Sequence, residues 1–146
     1  MTSTSRFVIL CGPSGVGKTA IRQALAPRLS AASLGPDDFD GDWSALYAEL
    51  DLSDRAVVEC VALPRALRRR WTARRAIVVK LAAPRPVLEQ RLRERGEDAA
   101  TIVTRLREDT DIGYGDHVIV NLTVDTTLAE PVELAKAIAE QIEVLG

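Results

Sequence analysis

Eight residues near the start of the chain, Gly12-Pro-Ser-Gly-Val-Gly-Lys-Thr19, constrain it more than any other stretch. They satisfy the spacing G-x-x-x-x-G-K-[ST] of a phosphate-binding P-loop. A polyphosphate needs a concave ring of backbone N–H groups around it. Gly12, Gly15 and Gly17 let the backbone turn through positive φ and approach the anion with no Cβ in the way. Lys18 supplies a mobile cation for the β- and γ-oxygens, and the Thr19 hydroxyl is a ligand for Mg²⁺. A helix starting there directs the positive end of its dipole at the anion. Gly12, Pro13, Ser14, Gly15, Val16, Gly17, Lys18, Thr19 and Ala20 are therefore the expected nucleotide-binding set.

The flanks fit this reading. Phe7 to Cys11 is an unbroken apolar run, as in a strand buried on both faces. Ala20, Ile21, Ala24, Leu25 and Leu29 then recur at helical spacing, and Pro27 ends or kinks that helix. Strand, glycine loop and helix follow one another as the motif requires.

With 146 residues the chain is expected to form one domain, residues 1–146, large enough to bury a core. A net charge of −2 argues against a general nucleic-acid binder. No run approaches ~18 apolar residues, so no membrane span is expected. Residues Met1 to Arg6 carry no apolar leader, and a cytoplasmic location is expected. Cys11 and Cys60 fit neither a metal spacing nor a disulfide framework and read as core residues.

Further along, Ser30 to Leu34 is a short second strand, and Gly35 to Asp42 a loop dense in carboxylates. Trp43, Leu46, Tyr47 and Leu50 follow at helical spacing. Arg55 to Ala62 is a third strand and Pro64 to Ala73 a helix. Ala76 to Leu81 is the fourth strand. Pro84 and Pro86 open a helix that Gly96 interrupts, and Ala99, Ile102, Val103 and Leu106 continue on a second one. Gly113 to Asp116 is a turn, His117 to Val124 the fifth strand, and Pro131 begins the last helix. The single histidine, His117, reads as an ordinary surface residue. Strands alternating with helices imply right-handed βαβ units and a parallel sheet covered on both faces.

In an open parallel sheet the ligand lies beyond the carboxyl ends of the strands, which selects the other candidates. Asp38 or Asp40 could orient or deprotonate an acceptor hydroxyl, while Asp42 suits a helix cap. Glu59 interrupts an apolar strand, where an unpaired carboxylate is costly. It could hold Mg²⁺, act as the base, or pair with a buried arginine; the metal role is preferred. Residues 88–110 read as a lid, whose Arg91, Arg95 and Arg105 would offset charge on the transferring phosphoryl group. Arg68, Arg69, Arg70, Arg74 and Arg75 make a basic helix. Of that region Arg65, near a strand end, is the expected contact to an anionic substrate, together with Asp38.

These residues resemble the small P-loop kinases of the nucleoside-monophosphate-kinase and shikimate-kinase-like group. Gly12 to Thr19 is similar to the guanylate kinase loop. Arg91-Leu-Arg-Glu-Arg-Gly96 with Ile102, Arg105 and Leu106 resembles the lid of guanylate kinase and ribose bisphosphokinase. Val124-Asp-Thr126 resembles the segment that borders the adenine, which implies Asp125 and Thr126 as nucleotide-binding residues. The chain departs from guanylate kinases in having only Gly35 to Leu52 where they carry an inserted β-rich domain. Glu59 stands where the family often has Asp. The Asn-Lys-x-Asp signature of GTPases is absent, since Leu122 follows Asn121, and this favours ATP.

The expectation is a three-layer α/β domain with a five-stranded parallel sheet in the order 2-3-1-4-5. Its activity would be Mg²⁺-dependent transfer of the ATP γ-phosphate to a small hydroxyl- or phosphate-bearing metabolite. The alternatives are a nucleotide-dependent switch acting on a protein partner and a polynucleotide 5′-hydroxyl kinase that uses the arginine helix.

Overall fold

A computed structural model describes residues 6–13, 15–60, 76–112 and 121–145. Five strands form one parallel sheet in the order β2-β3-β1-β4-β5. They are β1 (Arg6–Cys11), β2 (Ala32–Leu34), β3 (Arg55–Cys60), β4 (Ile77–Ala82) and β5 (Leu122–Asp125). The helices described are α1 (Lys18–Arg28), α2 (Trp43–Asp51), α3 (Arg85–Glu94), α4 (Ala99–Ile112) and α5 (Pro131–Leu145). A 3₁₀ turn, Pro36–Phe39, joins β2 towards α2. The strand order is the one expected from the alternation of elements.

The alternation of side chains along a strand sorts the core into two layers. Val8 and Leu10 of β1 face one side, where Val57, Val79 and Leu81 meet Ile21 and Leu25 of α1 and Leu134 and Ile138 of α5. Phe7, Ile9 and Cys11 face the other, where Ala56, Val58 and Cys60 meet Leu46 and Leu50 of α2. Residues such as Leu10, Ile9 and Leu46 are fully buried, and each contributes about 1.5–3 kcal/mol by leaving water. Residue 59 belongs with Val57 on the α1 side by the same alternation, which turns the single acid of β3 towards α1.

The boundaries of β2, β4 and β5 differ from the sequence expectation; β4 runs Ile77–Ala82 where the sequence suggests Ala76 to Leu81. The second strand begins at Ala32, because Ser30 has φ 52°, a left-handed conformation that ends extended pairing. The third begins at Arg55 as expected, and residues 61–62 of the expected strand lie outside the described residues. The fifth runs to Asp125, which lies in register with Ala82. Asn121 precedes it and pairs with Val78 twice: its N–H donates to the Val78 carbonyl (2.9 Å) and its Oδ1 accepts from the Val78 N–H (2.8 Å). The helix expected over Pro64 to Ala73, the turn over Gly113 to Asp116 and His117 lie outside the described residues. Among the described residues no helix is long and apolar enough to cross a membrane.

Candidate active site

The parallel sheet brings the carboxyl ends of β1, β3 and β4 to one edge, and the loop after β1 is the centre of that edge. Gly12 must be glycine: a Cβ there would lie 2.6 Å from the Leu81 carbonyl oxygen and 2.9 Å from Val16 Cγ1. Gly15 and Gly17 adopt φ 82° and 102°, values that cost other residues strain. Gly17 is the N-cap of α1 and no side chain caps that helix, so its first turn meets the loop with its amide end. Lys18 Nζ folds over the loop and donates to the carbonyls of Gly12 (2.8 Å) and Pro13 (3.0 Å). Ser14 of the expected set lies outside the described residues. Ala20 is exposed on α1.

Thr19 meets Glu59. The Thr19 hydroxyl lies 2.9 and 3.0 Å from the two carboxylate oxygens, to which it donates. A hydroxyl and a carboxylate in contact at the start of α1 form a hard oxygen donor set, the kind Mg²⁺ takes with waters and phosphates. The two residues therefore fit such an ion.

Glu59 has a second neighbour that sequence reasoning missed. Arg22, one turn beyond Lys18, is 3% exposed and its Nε lies 2.7 Å from Glu59 Oε1. The N–H does not point along that line, so the contact is an ion pair without a hydrogen bond. Arg22 Nη1 donates to Asp38 Oδ2 (2.6 Å) and Ser33 Oγ (3.2 Å). Of the alternatives open for Glu59, the structure shows the pairing with a buried arginine; the carboxylate also accepts from the Thr19 hydroxyl. The sequence carried a faint signal, since Arg22 sits beside Ile21 and one turn before Leu25 and Ala26 on the buried face of α1.

The acidic loop is arranged differently from the expectation. Asp38 Oδ2 accepts from Arg22 and from the Gly35 N–H (3.0 Å), so this carboxylate organises the turn. Asp40 is exposed with φ 53° and does not line either cavity beside the P-loop. Asp37 does line one, with Pro36. Asp42 caps α2 as expected, accepting from the Ala45 N–H (3.2 Å). Gly35 was also missed. A Cβ on it would lie 3.0 Å from Glu59 Cγ and Oε1 and 3.1 Å from Arg22 Cζ, so its lack of a side chain makes room for the ion pair.

Among the described residues, two cavities flank the loop. The smaller, about 280 Å³, lies between Lys18, Thr19 and Glu59 on one side and Asp37, Arg95 and Arg105 on the other. The larger, about 810 Å³, runs from Gly15 and Gly17 past Arg91 to Thr126, Leu128 and Pro131. Arg95 lines both. Arg105 also pairs with Glu97 (2.8 Å). Between α3 and α4, Gly96 has φ 91°, the turn that reverses the chain.

Arg91 faces the larger cavity and not the smaller. Its Nη1 donates to the carbonyls of Gly15 (3.3 Å) and Val16 (3.1 Å) and to Thr126 Oγ1 (3.0 Å), and its Nη2 to the Thr126 carbonyl (3.2 Å). It joins the P-loop to the segment after β5. Asp125 Oδ1 accepts from the N–H (2.9 Å) and hydroxyl (2.6 Å) of Thr127, which hold its carboxyl below the usual carboxylate range. Arg65 and the arginine helix around it lie outside the described residues. Among the described residues no three His, Cys, Asp or Glu side chains cluster as a metal site.

A P-loop after the central strand of a sheet ordered 2-3-1-4-5 defines the P-loop kinase fold. Solved structures agree with it. Shikimate kinase from Acinetobacter baumannii in complex with shikimate is similar, with TM-score 0.67 and 20% identity over 97% of this chain and 95% of that one. A gluconokinase from Sinorhizobium meliloti 1021 gives TM-score 0.68 and 19% identity over 99% of both chains. The Mycobacterium tuberculosis APS kinase in complex with AMPPNP and APS gives 0.66 and 17% over 97% and 99%. No protein-family model and no curated protein sequence matches the chain. The resemblance to the shikimate-kinase-like group therefore holds at the level of the fold. Gly35 to Leu52 forms a 3₁₀ turn and one helix, with no β-rich insertion.

Proposed function

We propose that the protein is an ATP-dependent kinase of a small hydroxyl- or phosphate-bearing metabolite. The observation that carries this reading is the contact of Thr19 with Glu59 at the mouth of a glycine loop, beside a cavity walled by Arg95 and Arg105. Neighbours of similar fold include kinases of shikimate, gluconate and APS, one of them in complex with AMPPNP.

In this reading the larger cavity takes the nucleotide, with Arg91 and Thr126 in its wall, Asp125 next to Thr126 at the end of β5, and the loop amides on its phosphates. Lys18 leaves the Gly12 and Pro13 carbonyls for the β- and γ-oxygens. Thr19 and Glu59 hold Mg²⁺, which when bound supplies charge that offsets the phosphate oxygens. The smaller cavity takes the acceptor. Asp37, which lines it, joins Asp38 and Asp40 as a candidate to orient the acceptor hydroxyl, and Arg65 remains a candidate for an anionic acceptor group. Arg95 and Arg105 close over the transferring group as a lid turning at Gly96.

The test is ADP release from ATP and Mg²⁺ against pooled sugars, sugar acids, nucleosides and nucleotides. The expected result is release that depends on one acceptor and is abolished by Lys18→Ala with the fold intact. Slow hydrolysis indifferent to every acceptor would replace the kinase with a nucleotide switch.

A further inference from the structure

Arg22 places a buried positive charge against the carboxylate proposed to hold the metal. Its guanidinium is held on three sides. Glu59 Oε1 lies 2.7 Å from Nε, and Asp38 and Ser33 accept from Nη1. Gly35 packs so close that even a methyl group on it would lie 3.1 Å from Arg22 Cζ. The hydrogen bonds to Asp38 and Ser33 tether the guanidinium beside Glu59. The other face of the carboxylate is already engaged by the Thr19 hydroxyl on both oxygens.

We propose that Arg22 is a positioning residue that withholds Glu59 from free divalent cations, so that the metal enters the site only with the phosphates of the nucleotide. The inference rests on the kinase reading in one respect, the assignment of Thr19 and Glu59 to the metal. A lone dication approaching Glu59 meets a fixed guanidinium beside the same oxygen, and like charges at that range repel strongly in a partly buried setting. Arg22 is shared with Asp38, but a single carboxylate with a guanidinium beside its oxygen is a poor site for an ion that gives up its waters reluctantly. Phosphate oxygens on the loop side add the negative charge that tips the balance. The Nε–H has no hydrogen bond along the Glu59 line, so the arginine acts on Glu59 as a counter-charge more than as a directional partner.

Mn²⁺ tests this, with free ion counted by electron paramagnetic resonance. Wild-type protein alone is expected to bind no Mn²⁺ in the range where protein with a non-hydrolysable ATP analogue saturates. Arg22→Gln should bind Mn²⁺ without nucleotide at least about tenfold more tightly than wild type. Adding Glu59→Gln to that variant should remove the gain. Arg22→Lys keeps a charge and should behave as wild type. Tight Mn²⁺ binding by nucleotide-free wild type overturns the proposal, and that measurement needs no variant to fold. A gain in Arg22→Lys equal to that in Arg22→Gln also overturns it, because the effect would then come from lost shape and not lost charge. The expected Mn²⁺ pattern with no acceptor phosphorylated would remove the kinase reading and leave this one standing.

Discussion

Arg91 grips Thr126 from both ends of its guanidinium, Nη1 to the hydroxyl at 3.0 Å and Nη2 to the carbonyl at 3.2 Å, while the same Nη1 reaches the Gly15 and Val16 carbonyls. The P-loop and the segment after β5 are thus fastened through one side chain. Arg91→Ala is expected to raise the KM for ATP about tenfold, since a hydrogen bond from a charged donor contributes about 1.5–3 kcal/mol. Arg91→Lys should rescue little, because an ammonium lacks the planar fork that serves two partners on different segments. Initial-rate kinetics against ATP check both. A fall in kcat with KM unchanged would instead give Arg91 the phosphoryl-facing role expected from the lid sequence.

Gly35→Ala tests the space behind the ion pair. The added methyl group would stand 3.0 Å from Glu59 Cγ and 3.1 Å from Arg22 Cζ, both on constrained side chains. Overpacking of this kind costs about 1–3 kcal/mol. Denaturant unfolding should show that loss, and phosphotransfer should fall further than stability alone explains. The backbone φ of −141° is ordinary for alanine, so the effect would come from packing and not strain.

Glu59→Ala leaves Arg22 buried beside a missing partner. Breaking a buried pair from one side costs about 3–5 kcal/mol. Asp38 and Ser33 still accept from Arg22 Nη1, which places the expected loss at the lower end of that range. Chemical denaturation of the variant measures it. A loss under about 1 kcal/mol, the scale of an exposed pair, would mean that solvent reaches the pair in solution.

Cys11 and Cys60 lie opposite one another in register at the ends of β1 and β3, both buried. Burial pushes the Cys11 thiol from 9.0 up to about 11, against the pull of Lys80 and Lys18, and pushes Cys60 up as well. The folded chain therefore keeps a proton that the unfolded chain gives up once pH passes the ordinary thiol value. Stability should fall as pH rises from about 9 towards 11. A disulfide reagent at pH 8 should label neither thiol in the native protein and both after unfolding. Rapid native labelling would show that this end of the sheet opens.

Much of the site was legible in the chain. The glycine loop, the unbroken apolar strand before it and the stripe of α1 are local patterns, and each became the element it suggested. The acid in β3 stood out because a carboxylate in an apolar strand demands a partner. What that partner would be did not show, since Arg22 reads locally as one more polar residue on a helix. Asp38 and Asp40 were equivalent as loop carboxylates, yet one is tied to Arg22 and the Gly35 N–H and the other stands in a left-handed conformation away from both cavities.

By itself the sequence determined the sheet, its strand order and the glycine loop that follows β1, because these follow from local periodicity, glycine placement and the handedness of βαβ crossovers. Only the tertiary structure decided that Glu59 faces both Thr19 and Arg22, that Gly35 yields the room for them, and that Arg91 fastens the loop to Thr126. Those contacts join residues on different elements, brought together by parallel strands ending at one edge. Spacing along the chain carries no record of which side chains meet there.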